Sequence, residues 1–191
     1  MPPATSVADL VPGFRPETDL ERAVWRDQVL LTGLAWGKPR RGHPEGSVAA
    51  HVADLLEAIE RWGETARCRS ELRFIALVHD SFKYRVANWR PKVGENHHAM
   101  RARRYAERYT DDERLLATIE MHDRPYNLWR RPPRGKFEER RLMRMVKRIA
   151  DLDLFLRFLE LDGSTEGKDP EPIRAFKDEL ARRRLLSGPQ R

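Results

Sequence analysis

The 191-residue chain has one cysteine, Cys68, and no long apolar run. A single cysteine excludes an intrachain disulfide framework and is typical of a protein from a reducing compartment. No stretch approaches the roughly 20 apolar residues that a transmembrane helix requires. The first 22 residues have no basic start followed by an apolar segment, so they do not resemble a secretory signal. These absences predict a cytoplasmic protein with no membrane partner.

The sequence also lacks the alternating pattern of β-strands, internal repeats and a Walker-type glycine-rich phosphate loop. Nothing in it resembles the Ser-His-Asp or Cys-His arrangement of a nucleophilic hydrolase. What is abundant is charge, since 35% of the residues are charged and 40% are hydrophobic. That mixture is typical of a helical protein with solvated outer faces.

Apolar residues recur at helical spacing along most of the chain, which predicts an all-α single domain of six to seven helices. Residues 1–17 contain four prolines and few apolar anchors, so we expect a flexible N-terminal arm there. The helical domain is predicted for residues 18–161, and a C-terminal helix with a basic tail for residues 162–191. The predicted helices span about 19–37, 48–62, 71–84, 97–109, 111–122 and 137–161, with a last one after Pro170.

The positive charge of the chain is concentrated in one segment. The formal net charge is +7, and residues 124–148 alone contain ten basic and two acidic residues. Within this segment, residues 123–136 are predicted to form a basic, proline-rich loop. The charge favours a small anionic substrate such as a nucleotide, with nucleic acid as a further candidate partner.

Four of the six histidines lie on the apolar stripes of four different predicted helices. They are His51, His79, His98 and His122, and Asp80 follows His79 directly. A single histidine on an apolar face is usually a hydrogen-bonded core residue. Four of them together with a buried aspartate would be difficult to satisfy without a shared cation. Imidazole and carboxylate ligands suit Mn, Fe, Co, Ni or Zn, with Mg as a further option.

Five motifs occur in an order that resembles the HD superfamily of metal-dependent phosphohydrolases. HPEGSVAAHV (43–52) is particularly similar to the start of the HD domain in bacterial tRNA nucleotidyltransferases. The resemblance covers roughly residues 20–160 and predicts an HD-type domain. The other motifs are VHDSFKY (78–84), NHHAMRARRYA (96–106), IEMHDRPY (119–126) and RIADLD (148–153).

The resemblance implies that His51, His79, Asp80 and Asp151 hold the principal metal ion. It implies that His98 and His122 hold a second metal ion or contact phosphate, so that the chain binds one or two divalent ions. Helical periodicity instead places Asp153, and not Asp151, on the apolar stripe of the last motif. We therefore expect Asp151 to be the last ligand and keep Asp153 as the alternative.

The function implied is hydrolysis of a phosphate ester of a nucleotide, or of a related small phosphorylated metabolite, by metal-activated water. Asp80 would act at the catalytic centre through the metal. Lys83 lies three residues later on nearly the same side of the helix, where it would contact the phosphate. The candidate substrate-binding residues are Lys83, Tyr84, Arg124, Trp129, Arg130 and Arg131.

Two other functions agree with the same sequence features. One is a nuclease or phosphodiesterase that binds RNA or DNA through residues 124–148. The other is a non-catalytic HD-fold sensor that binds a nucleotide. The basic loop is equally consistent with a solvated surface, and no pattern indicates an oligomeric state.

Overall fold

The computed structural model describes residues 4–39, 46–131 and 134–186, and this part of the chain is all-helical, as predicted. It contains no β-strand, only an isolated antiparallel bridge between Gly37 and Ser47. None of the helices in these ranges combines the length and the apolar composition that a bilayer span requires. The α-helices are α1 (Asp19–Val24), α2 (Gln28–Leu34), α3 (Val48–Trp62), α4 (Ala66–Val78), α5 (His98–Ala106), α6 (Glu113–Met121), α7 (Arg124–Trp129), α8 (Glu139–Val146), α9 (Leu152–Gly163) and α10 (Glu171–Arg182). Short 3-10 segments cover Val7–Asp9, Lys83–Arg85 and Gly94–Asn96.

Polar side chains cap the starts of several helices. The Ser47 hydroxyl accepts a hydrogen bond from the Ala50 N–H at 3.1 Å and starts α3. Thr18 and Glu21 form a reciprocal capping box at the start of α1. Asp112 accepts from the Arg114 N–H at 2.9 Å and starts α6. These contacts satisfy N–H groups that the first helical turn leaves unpaired.

Two predicted helices are each divided in two, and the predicted loop contains a further helix. The predicted number of six to seven helices was therefore too low. Asp27 caps α2 and interrupts the predicted helix 19–37. Asp151 caps α9 and interrupts the predicted helix 137–161. The segment expected to be a loop contains α7, in which Pro125 occupies the first turn. Helical periodicity continues across such short breaks, so it does not reveal them.

The prediction of a flexible arm was wrong for residues 4–17. Val7, Val11 and Phe14 are buried in the main core. The Val7 N–H donates to the Trp25 carbonyl at 2.8 Å, and an Arg73 guanidinium N–H donates to the Arg15 carbonyl at 3.0 Å. The segment is therefore part of the folded domain, anchored by three apolar side chains rather than by a periodic helix.

Helix α9 joins the two parts of the core. It packs against α3, α4 and α6, which carry His51, His79 and His122, and against α10 on its other side. Phe158 belongs to the larger core, and Phe155 to a second apolar cluster shared with α8 and α10. The domain boundary predicted between residues 161 and 162 falls inside α9, so it does not correspond to a structural boundary.

Helix α2 supports the turn that follows α4. A Cβ atom added to Gly33 would lie 1.7 Å from the carbonyl oxygen of Ser81. Only a glycine permits this approach of helix to turn. Because Ser81 follows His79 and Asp80, the contact fixes the position of that pair.

Candidate metal centre

Four histidines and two aspartates from five helices meet at one end of α9. All are buried except His98, which is half-buried. They are His51 on α3, His79 and Asp80 at the end of α4, His98 at the start of α5, His122 at the end of α6 and Asp162 near the end of α9.

The first group consists of His51, His79 and Asp162. The His51 Nε2 lies 2.9 Å from the Asp162 Oδ1, and the His79 Nε2 lies 3.7 Å from the same oxygen. The ring centroids of the two histidines are 5.5 Å apart. One carboxylate oxygen therefore faces two imidazole nitrogens from two other helices.

The second group surrounds Asp80. Its Oδ2 lies 3.5 Å from the His79 Nε2, so His79 belongs to both groups. Its Oδ1 lies 3.3 Å from the His98 Nε2 and 3.5 Å from the His122 Nε2. The two histidine Nε2 atoms are 3.3 Å apart. The donor atoms of this group also converge on a common space.

Two of the imidazole rings are oriented by backbone carbonyls. The His79 Nδ1 lies 3.0 Å from the Ala76 carbonyl oxygen, and the His122 Nδ1 lies 2.8 Å from the Ile119 carbonyl oxygen. In each pair the Nδ1–H donates, which leaves the Nε2 lone pair directed at the cluster. Metal-binding histidines in proteins are oriented in this way.

Burial and neighbouring charges set the protonation of these groups. Burial lowers the pKa of His51 and that of His98, which keeps both imidazoles neutral. Burial opposes the charged form of Asp80, but Lys83 and His79 hold the pKa of that carboxyl well below its usual range. Burial likewise opposes charge on His79, but Asp80 and Asp162 outweigh it and raise its pKa to about 9.

The donor set fits a divalent transition-metal ion. The His79 Nε2 and the Asp80 Oδ1 are buried and have no hydrogen-bond partner. Such atoms are expensive to bury unless another ligand satisfies them. Ligands about 2.1 Å from one ion lie about 3.0–3.4 Å from each other, close to the separations found here. The buried groups His51–His79–Asp162 and His79–Asp80–His122 can therefore each contribute ligands to an ion.

Two lysines contact the two aspartates of the cluster. Lys83 forms an ion pair with Asp80, and the Lys168 Nζ lies 2.5 Å from the Asp162 Oδ1. Both lysines line a cavity of about 420 Å³ that also exposes Asp80, His98 and His122. Tyr126, Asn127 and Arg130 of α7 form another wall of it. The cavity therefore lies against the cluster and places positive side chains next to it.

The late aspartate that lies in the cluster is Asp162, whereas Asp151 and Asp153 both lie outside it. Asp151 caps α9 by accepting from the Leu154 N–H at 3.0 Å, and it lies 3.6 Å from Arg114. Asp153 is exposed. Asp162 lies four residues after the buried Phe158, on the same face of α9. That spacing is the sequence signal that would have identified it, once the start of α9 is placed at Asp151.

The predicted substrate-binding residues do not all meet in the cavity. Lys83 and Arg130 line it. Arg124 and Arg131 project from the other side of α7 into a separate groove. Two aromatic candidates pack elsewhere: Trp129 lies against Phe137, and Tyr84 lies beside Phe82 and accepts a hydrogen bond from Arg85. Lys168, which the sequence analysis did not single out, lies at the site instead.

His97 and Asp123 form a third group next to the site. The His97 Nε2 lies 3.1 Å from the Asp123 Oδ2, and the His97 Nδ1 accepts from the Ala99 N–H at 3.3 Å. Asn127 donates to the same Asp123 oxygen at 2.8 Å. The pair therefore joins the start of α5, which carries His98, to the start of α7.

Comparison of the chain with protein-family models, with curated proteins and with solved structures finds no match. The resemblance to the HD superfamily therefore stays a prediction from the five motifs. The first of these motifs lies partly outside the described residues, since His43, Pro44 and Glu45 precede residue 46.

Proposed function

We propose that this protein is a metal-dependent phosphohydrolase of the HD type that cleaves a phosphate monoester of a nucleotide or similar small metabolite. The observation that carries the proposal is the cluster of buried imidazole and carboxylate groups opening into a cavity that also exposes two lysines. A bound divalent ion would supply Lewis acidity and an acidified water molecule. His51, His79, Asp80 and Asp162 would hold it, and His98 and His122 would complete a second position beside Asp80.

The chain's own side chains account for substrate binding and orientation. Lys83 and Lys168 each contact a carboxylate of the cluster. When these carboxylates coordinate a cation, both ammonium groups become available to the phosphate oxygens that enter the cavity. Arg130 lines the same wall and offers a guanidinium to the rest of the substrate.

The charge of the site favours a monoester over a diester. The described residues that line the cavity include four aspartates and three basic side chains, so its formal charge is about −1 when the histidines are neutral, as metal ligands are. The aspartates are Asp80, Asp123, Asp162 and Asp169, and the basic residues are Lys83, Arg130 and Lys168. Ions at both proposed positions would raise the charge to about +3, which suits the dianion of a phosphate monoester better than the single negative charge of a diester.

The test is phosphate release by protein loaded with Mn, Co, Ni, Zn or Mg, offered nucleoside monophosphates and bis(p-nitrophenyl) phosphate in parallel. We expect hydrolysis of monoesters in preference to the diester. Lys168→Gln should raise KM for the monoester, and Asp80→Asn should abolish turnover. Asp151→Asn is the matched control, because Asp151 lies outside the cavity lining, and it should retain activity.

Other outcomes would select the competing functions. Faster cleavage of the diester would favour a nuclease or phosphodiesterase. Nucleotide binding without release of phosphate under any metal would favour a sensor. Activity that survives Asp80→Asn would contradict the assignment of the site.

A further inference from the structure

A second concave surface, here called the arginine groove, lies on a different face of α7 from the metal-site cavity. It has a volume of about 500 Å³ and is formed by the end of α6 together with α7 and α8. Among its described lining residues six are arginines and one, Glu138, is acidic. The arginines are Arg124, Arg131, Arg140, Arg141, Arg144 and Arg148.

Most of these arginines have no counter-charge, unlike many arginines elsewhere in the protein. Arg141 pairs with Glu138, and Arg148 pairs with Glu120. The other four have no carboxylate within ion-pair distance among the described residues. By contrast, Arg69, Arg73 and Arg103 each contact two or more glutamates. The groove is therefore a local excess of unneutralised positive charge.

Placing these charges together costs folding stability. Arg140 and Arg144 are four residues apart on α8, so their side chains are neighbours. Like charges at this spacing destabilise a helix. Arg124 and Arg131, seven residues apart, face them from α7 and the residues that follow it. Two rows of cations therefore line the walls of one groove, an arrangement that favours an anion with charges repeated along its length.

Part of the groove lining is apolar. Met121, Leu128 and Met145 contribute to its lining, and Met121 and Met145 are buried. Methionine side chains adapt their shape to a flat partner. Guanidinium groups bind phosphate oxygens with two parallel hydrogen bonds. A ligand with repeated phosphates and flat apolar faces meets both requirements, whereas an acidic peptide meets only the first.

We propose that the arginine groove binds a single-stranded nucleic acid through the phosphates and base faces of a short segment. The proposal does not depend on the hydrolytic function, because the groove and the metal-site cavity share none of their described lining residues. Arg124 in α7 and Arg131 just after it line the groove, whereas Asn127 in α7 and Arg130 at its C-terminal cap line the metal-site cavity.

The test is fluorescence anisotropy of the full chain with a fluorescein-labelled oligouridylate of twelve nucleotides, in EDTA and over a range of salt concentrations. We expect saturable binding that weakens steeply with salt. Arg140→Ser with Arg144→Ser should weaken binding at least about tenfold and reduce the slope of log K against log salt by about 1.4, since each phosphate contact with a single strand contributes about 0.7.

The matched control is Arg174→Ser with Arg182→Ser, which removes the same charge from exposed positions on α10. The affinity of this variant for the oligonucleotide should stay within about twofold of the parent's, because binding depends on the arginines of the groove and not on the net charge of the protein. Circular dichroism checks that both double variants remain folded.

Three results would overturn the proposal. The first is no binding by the parent protein at low salt. The second is equal weakening by the two double variants, which would show a general effect of net charge. The third is displacement of the oligonucleotide by polyglutamate or by anionic lipid vesicles at matched charge, which would identify another class of partner.

Discussion

Replacing Asp162 by asparagine should abolish tight binding of a divalent metal ion. Asp162 faces His51 and His79 across 2.9 and 3.7 Å, and Lys168 lies 2.5 Å from the same oxygen. The asparagine keeps the shape and loses the charge. Because Asp162 pairs with Lys168 in the parent, the variant leaves that positive charge uncompensated close to the ion.

The structure sets the scale of this effect. The substitution removes the attraction between charges of +2 and −1 at about 2.1 Å, which is about 4 kcal/mol even in bulk water. Repulsion between the ion and Lys168 is then no longer offset by the carboxylate. Because the asparagine amide oxygen can still act as a ligand, we expect a loss of affinity of at least about 20-fold.

The assay is calorimetric titration of metal-free protein with Mn²⁺ or Ni²⁺. Asp151→Asn serves as the control, because it alters an aspartate that the sequence motif favoured but that caps α9. We expect this control to bind metal like the parent protein. Unchanged affinity in Asp162→Asn, or an equal loss in Asp151→Asn, would refute the assignment of Asp162.

Three further predictions concern stability, pH and reactivity. Gly33→Ala should destabilise the fold by about 1–3 kcal/mol, because the added Cβ would meet the Ser81 carbonyl oxygen. Chemical denaturation measures this loss, with Thr32→Ala at an exposed position as the control. Equal denaturation midpoints for the two variants would contradict the prediction. The pKa of His79 is raised to about 9, so its proton stabilises the metal-free fold fully below its unfolded pKa near 6.5. That contribution to stability is lost as pH rises through 9. Metal affinity should increase over the same pH range, because a metal ion has to displace the proton from His79. A metal affinity that falls between pH 7 and 9 would contradict this prediction. Burial and neighbouring Glu64 raise the pKa of Cys68 to about 12, so a thiol reagent should modify it slowly at pH 8, and rapid modification would contradict this.

The sequence was most informative where a chemical group lies on a regular helix. His51, His98 and His122 lie on or at the ends of helices whose apolar faces predict burial, and the structure brings their Nε2 atoms toward Asp80 or Asp162. Their convergence depends on packing between α3, α5, α6 and α9. The convergence of these side chains was inferred from the cost of burying them without a shared cation, and not from the spacing of the residues in the sequence.

Breaks between helices account for the errors. Asp151 was expected to be a ligand because the motif around it resembles a family pattern, but its side chain is used to start α9. Asp162 lies near the far end of α9, well beyond that motif, and Lys168 lies after the helix. A periodic pattern that is followed from residue 137 no longer predicts which face a side chain occupies at this distance. Arg130 and Arg131 line different cavities because they follow α7, a helix that the proline content of this segment did not indicate.

The most direct test of the central claim is the metal content of the purified protein after loading with Mn, Fe, Co, Ni or Zn and removal of free ions. The account predicts at least one equivalent of a divalent metal per chain, reduced by His51→Ala and by Asp80→Asn. Absence of bound metal under every condition would mean that the histidines are ordinary buried side chains, and the proposed hydrolytic function would fall with the site.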